Sequence, residues 1–319
     1  MTRFGYTLMT EQSGPRELVD YAIAADRIGF DFEVSSDHYS PWIVEQGHAP
    51  YAWTLLGAVA QATENVELIT YVTCPTMRYH PAVVAQKAAT LQLLSEGRFI
   101  LGLGSGENLN EHVVGEGWPA VQVRQDMLEE AVHIIRELHT GELVTWEGEY
   151  FRVDSARIWD TAKVEIGLAV SGDSSIERFA PLGDHLIATT PEKELVDGWD
   201  AAHGGNSRKI GQIPICWDPS EEAAIARAHD QFRWFGGGWA VNADLPTPAG
   251  FEGASQFVRP EDVAESIVCG PDLDKIAESF RSFIDAGFTD VALVQVGDEG
   301  QQRFLDEAAA PLLEKLRAL

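Results

Sequence analysis

Two short segments hold most of the side chains able to do chemistry. One is Ser36-Asp37-His38-Tyr39-Ser40-Pro41-Trp42, the other Gly102-Leu103-Gly104-Ser105-Gly106-Glu107-Asn108-Leu109-Asn110-Glu111. Each follows an apolar run and sets ionisable groups just past its end. A histidine there titrates near neutrality and can exchange a proton with a substrate. Adjacent residues of an extended chain point to opposite faces, so of Asp37 and His38 one enters a pocket while the other braces the backbone. Trp42 adds a flat π-face and an N–H donor. On residue types alone, His38 is equally a structural histidine beside a core tryptophan. Glu107 ends a run whose glycines at 102, 104 and 106 leave the backbone bare for a planar ligand or a phosphate. It is either a carboxyl tuned by burial for proton exchange or a solvated turn residue. Glu11, in Met9-Thr10-Glu11-Gln12 after the first apolar run, joins the same face or is solvated in the same way.

The elements around these segments alternate. Strand-like runs fall at 3–8, 31–35, 66–72, 98–104, 164–170, 185–189, 209–216 and 290–296. Helical patterns stand between or after them. Gly14-Pro15 precedes a face of Leu18, Ala22, Ala25 and Ile28 at helical spacing, and 52–63 is an alanine-rich helix. Pro81 sits at the first position of the next helix. Further patterns cover 124–138, 221–232, 273–286 and 303–316. Eight such units point to an α/β fold, a single (β/α)8 TIM-barrel domain over 1–319. A doubly wound sheet is the rival. It would need GxGxxG after its first strand, and Glu107 stands beyond the glycines where that fingerprint needs a third.

Two stretches exceed a minimal barrel: 105–123 after the fourth strand, and 235–258, rich in Gly, Pro, Ala and Trp. Long connections in compact domains commonly act as lids. The first carries Glu107, Glu111 and His112; the second carries Trp239 and Phe251, aromatic groups able to roof a pocket.

Composition narrows the partners. The 319 residues carry 50 acidic against 23 basic groups, a formal charge of −27. That field repels nucleic acid and anionic membranes, so the expected partner is a small molecule. Only 6 of the basic residues are lysine, and an acid-rich, lysine-poor surface suits a high-salt cytoplasm. No apolar run has the roughly 18 residues of a membrane span. Arg3 onward reads at once as a strand, with no signal-peptide pattern before it. Cys74, Cys216 and Cys269 lie far apart without a CxxC, which fits reduced thiols in a cytoplasmic protein and argues against structural zinc. There is no HExxH, and Gly102–Gly106 lacks the GxSxG elbow, so neither metal nor serine-hydrolase chemistry is expected.

The sequence resembles the luciferase-like flavin and deazaflavin superfamily, and within it the branch of glucose-6-phosphate dehydrogenases that use coenzyme F420. The likeness runs through Glu11-Gln12 with Pro15-Arg16-Glu17-Leu18, Ser36-Asp37-His38 with Pro41-Trp42, and Gly47-His48-Ala49-Pro50. It continues in Pro75-Thr76 with Arg78-Tyr79, Pro81-Ala82-Val83 with Ala85-Gln86, and Gly104 with Gly106-Glu107 and Leu109-Asn110-Glu111. It implies a bacterial-luciferase-like TIM barrel, usually a homodimer, with F420 in a cleft at the strands' C-terminal ends.

By this resemblance Asp37 and His38 line the deazaflavin, and His38 is the base for the substrate hydroxyl. Trp42 stabilises the reacting pair, Glu107 exchanges a proton with the ring, and Glu11 is a further active-site carboxylate. Tyr71-Val72 matches a non-prolyl cis peptide that supports the ring. Cys74, Gly106 and Asn110 join the cofactor contacts. Ser171-Gly172 falls where a glycine pair approaches the cofactor phosphate, with one glycine replaced. Trp42, Thr189 and Trp239 form the substrate side.

The family's sugar-phosphate site departs more sharply. Thr189 retains its threonine, but Glu192 (beside Lys193), Asn242 and Glu265 stand where two lysines and an arginine belong. Carboxylates there would repel a phosphate dianion by a few kcal/mol in a dry site. The expectation is therefore an F420-dependent oxidoreductase acting on a carbinol, carbonyl or activated double bond, and not on a sugar phosphate. The alternatives are an FMN-dependent monooxygenase of the same superfamily and a non-catalytic flavin-binding barrel.

Overall fold

The computed structural model describes residues 2–319. In chain order its strands are β1 (Arg3–Leu8), β2 (Phe32–Ser35), β3 (Glu67–Thr70), β4 (Phe99–Leu103), β5 (Val144–Glu147), β6 (Arg152–Ala156), β7 (Glu165–Ala169), β8 (His185–Ala188), β9 (Lys209–Cys216), β10 (Val268–Cys269) and β11 (Asp290–Gln295). Parallel pairing runs β11-β1-β2-β3-β4-β7-β8, and β9 closes the ring by pairing with both β8 and β11. These are the eight strands expected, closed into a TIM barrel with helices between them.

Alternation along each strand builds two cores. Phe32, Val34, Ile69, Ile100, Ile187, Ile210 and Ala292 pack together in the barrel interior. Their neighbours Phe4, Tyr6, Leu68, Leu101, Ile166, Leu186, Val291 and Leu293 pack outward against the helices. Position 5 is glycine because a Cβ there would come within 2.5 Å of the Phe32 ring, which fills that part of the interior.

The first helix shows how the outer layer is specified. Pro15–Ile28 starts with proline in its first turn and ends on Gly29 in the left-handed region at φ 100°, whose N–H caps Ala25 and Asp26. It buries Leu18, Tyr21, Ala22 and Ala25; Ile28, placed on the same face by spacing, is only half-buried. Each large apolar side chain buried this way contributes about 1.5–3 kcal/mol.

Three features were not anticipated. β5 and β6 form an antiparallel hairpin between β4 and β7, with five of their nine residues exposed. So little of it is buried that no apolar alternation marks it. The helices expected at 273–286 and 303–316 are each broken, into Leu273–Ser279 with Arg281–Ala286 and Gln301–Glu307 with Ala309–Arg317. The long stretch around 235–258 is not an open loop. It holds a 3-10 turn at Arg233–Gly237 and helices Trp239–Asn242 and Pro248–Ser255.

Candidate active site

The segments singled out by their chemistry all emerge at the C-terminal ends of neighbouring strands: Glu11 after β1, His38 after β2, Tyr71–Cys74 after β3 and Glu107 after β4. Of Asp37 and His38, which alternation left undecided, His38 faces the site. Its Nδ1 lies 2.7 Å from Glu11 Oε1 and its Nε2 3.8 Å from Glu107 Oε2. Glu11 is 1% exposed and also accepts from Ser36 Oγ at 2.6 Å and Thr10 Oγ1 at 3.2 Å. Burial works to raise the Glu11 pKa, but the imidazole beside it and the Ser36 hydroxyl outweigh burial and hold it below its usual range. For His38, burial opposes the charged form, and Glu11 with Glu107 overcomes it, pushing the imidazole up to about 8. Glu11 is thus neither solvated nor bland. It anchors Nδ1–H and leaves Nε2 as the nitrogen free to exchange a proton.

Asp37 turns the other way. Its Oδ2 accepts from Trp53 Nε1 (3.0 Å) and Thr73 Oγ1 (2.7 Å), and its Oδ1 from Tyr79 OH (3.1 Å) and the Arg78 guanidinium (3.2 Å). With four donors of the chain's own, this carboxylate braces the wall behind the site and does not present itself to a cofactor.

Glu107 is half-buried at the start of a one-turn helix, Asn108–Glu111. Asn110 brackets it. The Asn110 amide donates to Glu107 Oε2 at 3.2 Å, and its carbonyl oxygen accepts the backbone N–H groups of Tyr39 and Ser40. One buried side chain therefore fixes Glu107 relative to the His38 segment. Asn108 N donates to Ala243 O at 2.9 Å and ties the same turn to the lid.

The glycines before Glu107 have a different reason from the one expected. A Cβ at Gly102 would sit on the Thr70 carbonyl oxygen, and one at Gly104 would lie 2.6 Å from Val72 Cγ2. Their bare backbone serves close packing against β3 and its extension. Gly106 has φ 91°, a left-handed conformation that favours glycine, and its open side faces Cys74 and Glu111. The Tyr71–Val72 peptide is cis, as the family likeness implies. Tyr71, Val72 and Ala169 are half-buried apolar groups packed on the mouth of the barrel core. Cys74 is buried, and burial pushes its thiol pKa well up.

Aromatic groups wall the other side. Trp42 meets His38 edge-on with centroids 5.0 Å apart, and stacks on Trp234 at 4.2 Å and 10°. Phe251 closes on Trp42 at 5.1 Å. Phe251 packs edge-on over Trp42, whereas Trp239 opens its short helix and is 52% exposed. Trp234 takes the place given to Trp239. Sequence spacing held no sign of this, because the two tryptophans share one loop and only the turn at Arg233–Gly237 decides which points inward.

The remaining positions lie at the rim. Thr189 is exposed one residue past β8, next to Ala188, whose carbonyl accepts from Tyr71 OH at 3.0 Å. Ser171 and Gly172 open the helix Asp173–Phe179, but both their N–H groups donate to Ser175 Oγ, at 3.0 and 3.2 Å. The cradle expected for a phosphate is therefore satisfied internally. Glu192 and Glu265 are exposed, and Lys193 pairs with Asp197 at 2.6 Å.

Two charged residues of the matching motifs to which residue type assigned no role, Arg78 and Glu111, lie directly under the site. The Arg78 backbone N–H donates to Glu111 Oε2 at 2.8 Å while its guanidinium reaches Asp37.

The description "Luciferase-like monooxygenase" belongs to the family model that matches residues 1–290 of the chain. An F420-dependent glucose-6-phosphate dehydrogenase of Nakamurella multipartita is 37% identical over 99% of this chain and 97% of its own. One from Intrasporangium calvum is 36% identical over the full length of both. Among solved structures, an F420-dependent secondary alcohol dehydrogenase in complex with an F420-acetone adduct superposes with a TM-score of 0.91. It is 27% identical and covers 99% of each chain.

Proposed function

The chain belongs to the luciferase-like family, and from that premise we propose an F420-dependent oxidoreductase of neutral alcohols, the corresponding carbonyls or activated double bonds, and not of sugar phosphates. The carrying observation is the juxtaposition of His38 Nε2 and Glu107 Oε2, 3.8 Å apart, beside the half-buried apolar seat of Tyr71, Val72 and Ala169. A planar heteroaromatic ring suits such a seat, and two proton-exchanging groups at its edge suit a ring whose redox state is linked to protonation. When bound, the deazaflavin supplies the hydride acceptor or donor.

The chain's own groups do the rest. Tyr71, Val72, Cys74 and Gly106 would hold the ring, and Ser171-Gly172 the tail after Ser175 yields its amides. Glu107 holds or releases a proton at Oε2. His38 takes the proton of a substrate hydroxyl at Nε2, or returns it in the reverse direction, while Glu11 keeps the imidazole in one orientation. Trp42, fixed by Trp234 and Phe251, presents a dry face that orients the substrate and excludes water. Thr189 at the rim completes the substrate side.

The charge pattern supports a neutral substrate. Glu192 and Glu265 bring negative charge, Lys193 is already paired, and Asn242 is an uncharged amide. A phosphate dianion would meet like charge there, screened because both glutamates are exposed, with no lysine at these positions to offset it. We further propose a homodimer, supported by the groove between helices Ala52–Ala62 and Pro81–Leu94, where Trp53, Leu91 and Leu94 stand among Gln86, Lys87 and Thr90 and Leu93 is exposed beside it.

The test is a fluorescence titration of the apo-protein with oxidised F420 and, separately, FMN, followed by turnover assays on neutral alcohols and hexose phosphates. Tight F420 binding with alcohol oxidation is the expected result. FMN binding alone, or efficient turnover of a hexose phosphate, would overturn the proposal.

A further inference from the structure

Cys216 and Cys269, far apart in the sequence, stand side by side in the sheet. Each is the last residue of its strand, β9 and β10, and the two are register partners in a parallel pair. Neighbouring strands lie about 4.7–4.9 Å apart, inside the Cα range of roughly 4.4–6.8 Å that a disulfide spans. Both side chains leave the sheet on one face. The preceding pair, Ile215 and Val268, packs into the outer core, whereas Cys216 and Cys269 join a separate cluster with Trp42, Trp234 and Phe251. Both are free thiols, and a hydrogen bond between them is the strongest influence on the acidity of each.

The two thiols are not equivalent. Cys216 has no exposed surface, whereas Cys269 keeps 7%. The hydrogen bond from Cys216, with help from Lys275, favours the Cys269 thiolate over the opposing effects of burial and Glu221. The same hydrogen bond and burial hold the proton on Cys216. Between the two cysteines runs the whole lid: the turn Arg233–Gly237 and the helices Trp239–Asn242, Pro248–Ser255 and Pro260–Ser266. Trp234 and Phe251, which fix Trp42, lie inside that span. A bond between the sulfurs would close the lid into one loop anchored on the barrel rim. Without it, the returning end is held in the sheet only by β10, a strand of two residues.

We propose that Cys216 and Cys269 are a site of reversible oxidative modification, forming a disulfide that fastens both ends of the lid to the barrel. The oxidant is hydrogen peroxide, small enough to reach the exposed edge of Cys269. The Cys269 thiolate attacks one peroxide oxygen and the O–O bond breaks, giving a sulfenic acid and a hydroxide that regains the Cys269 proton as the first water. The Cys216 sulfur then attacks the sulfenyl sulfur. The S–O bond breaks, and the departing hydroxide takes the Cys216 proton as the second water. Two thiols lose two electrons in total, and one peroxide is reduced to two waters. Cys74, on the segment after β3, lies outside this cluster and remains a thiol.

The test treats the full-length protein with hydrogen peroxide, blocks residual thiols and maps its peptides by mass spectrometry. The expected result is a Cys216–Cys269 cross-linked peptide, two hydrogens lighter than its halves and undone by dithiothreitol, with Cys74 blocked as a free thiol. In thermal melts the oxidised protein gains roughly 5 °C over the reduced form, a gain absent from Cys269→Ala under the same treatment. Cys216→Ala should stop at the sulfenic acid, which dimedone traps on Cys269. Recovery of Cys216 and Cys269 as free thiols after peroxide, or a disulfide to Cys74 instead, overturns the proposal. A Cys216–Cys269 disulfide with no rise in Tm overturns the fastening of the lid. Peptide mapping uses the natural sequence, so that arm decides even if neither variant folds.

Discussion

His38 Nδ1 sits 2.7 Å from Glu11 Oε1, and this contact joins the strand ends of β1 and β2 into one proton-handling unit. With Nδ1 anchored, the imidazole presents Nε2 to the site and keeps its proton to a higher pH than a free histidine. Hydroxyl oxidation needs His38 neutral, so its rate is expected to rise with pH through about 8. Glu11→Gln removes the charge that sustains the imidazolium and moves this limb down by about one pH unit or more. An NMR titration of His38 with a matched pH–rate profile checks both. The raised His38 pKa adds stability in full below 6.5, and that stability is lost as pH rises through about 8.

Glu107→Gln keeps the shape of the side chain and removes its acid. Turnover is expected to fall by roughly 10²-fold or more, the usual range for a general acid–base group. The F420 Kd, read from cofactor fluorescence, should change by less than about threefold. An undiminished rate would take Glu107 out of the mechanism.

Trp42 is held between His38, Trp234 and Phe251, so its size matters as much as its aromaticity. Trp42→Ala is expected to cost about 3–5 kcal/mol of stability, and Trp42→Phe clearly less. Urea melts measure that. Kinetics of the Phe variant then isolate orientation: a higher substrate KM with F420 affinity retained is the outcome that fits.

Glu33 lies fully buried on β2 with neither carboxylate oxygen partnered. Burial pushes its pKa well above the ordinary value, so the fold holds its proton at pH values where the unfolded chain has already lost it. A raised carboxyl pKa means stability falls as pH rises past 4.5, by about 1.4 kcal/mol for each pH unit until the buried group itself ionises. Glu33→Met should therefore stabilise the protein at pH 7, with the gain shrinking toward pH 4. A lower urea midpoint at pH 7 would mean that Glu33 is ionised and paired.

The formal charge of −27 makes self-repulsion a contribution that salt can screen. Thermal stability and activity are expected to rise between low and molar NaCl. Unchanged values across that range would remove the high-salt interpretation of the acidic surface.

The barrel was legible because its signal is local. Apolar runs bounded by Gly and Pro fix each strand within a few neighbouring residues, and all eight appear within two residues of their expected bounds. Strand ends in a parallel barrel share one face, so Glu11, His38 and Glu107 could be brought together from order alone. Residue types then supplied their chemistry.

What local pattern cannot carry is which way a side chain turns once segments far apart in sequence meet. Asp37 and His38 are equal candidates by type; Trp53, Thr73, Arg78 and Tyr79 decide that Asp37 faces inward. Trp234, not Trp239, backs Trp42 because the lid folds into short helices whose packing on Ile43 and Phe251 is non-local. Gly102 and Gly104 are demanded by Thr70 at the end of β3 and Val72 just beyond it. The charge states of Glu11, Glu33, His38 and Glu111 likewise depend on desolvation and on partners from other strands. The barrel, its active face and its chemical inventory thus follow from local sequence. Orientation and protonation were set by tertiary contact, because burial and pairing exist only once the strands have met.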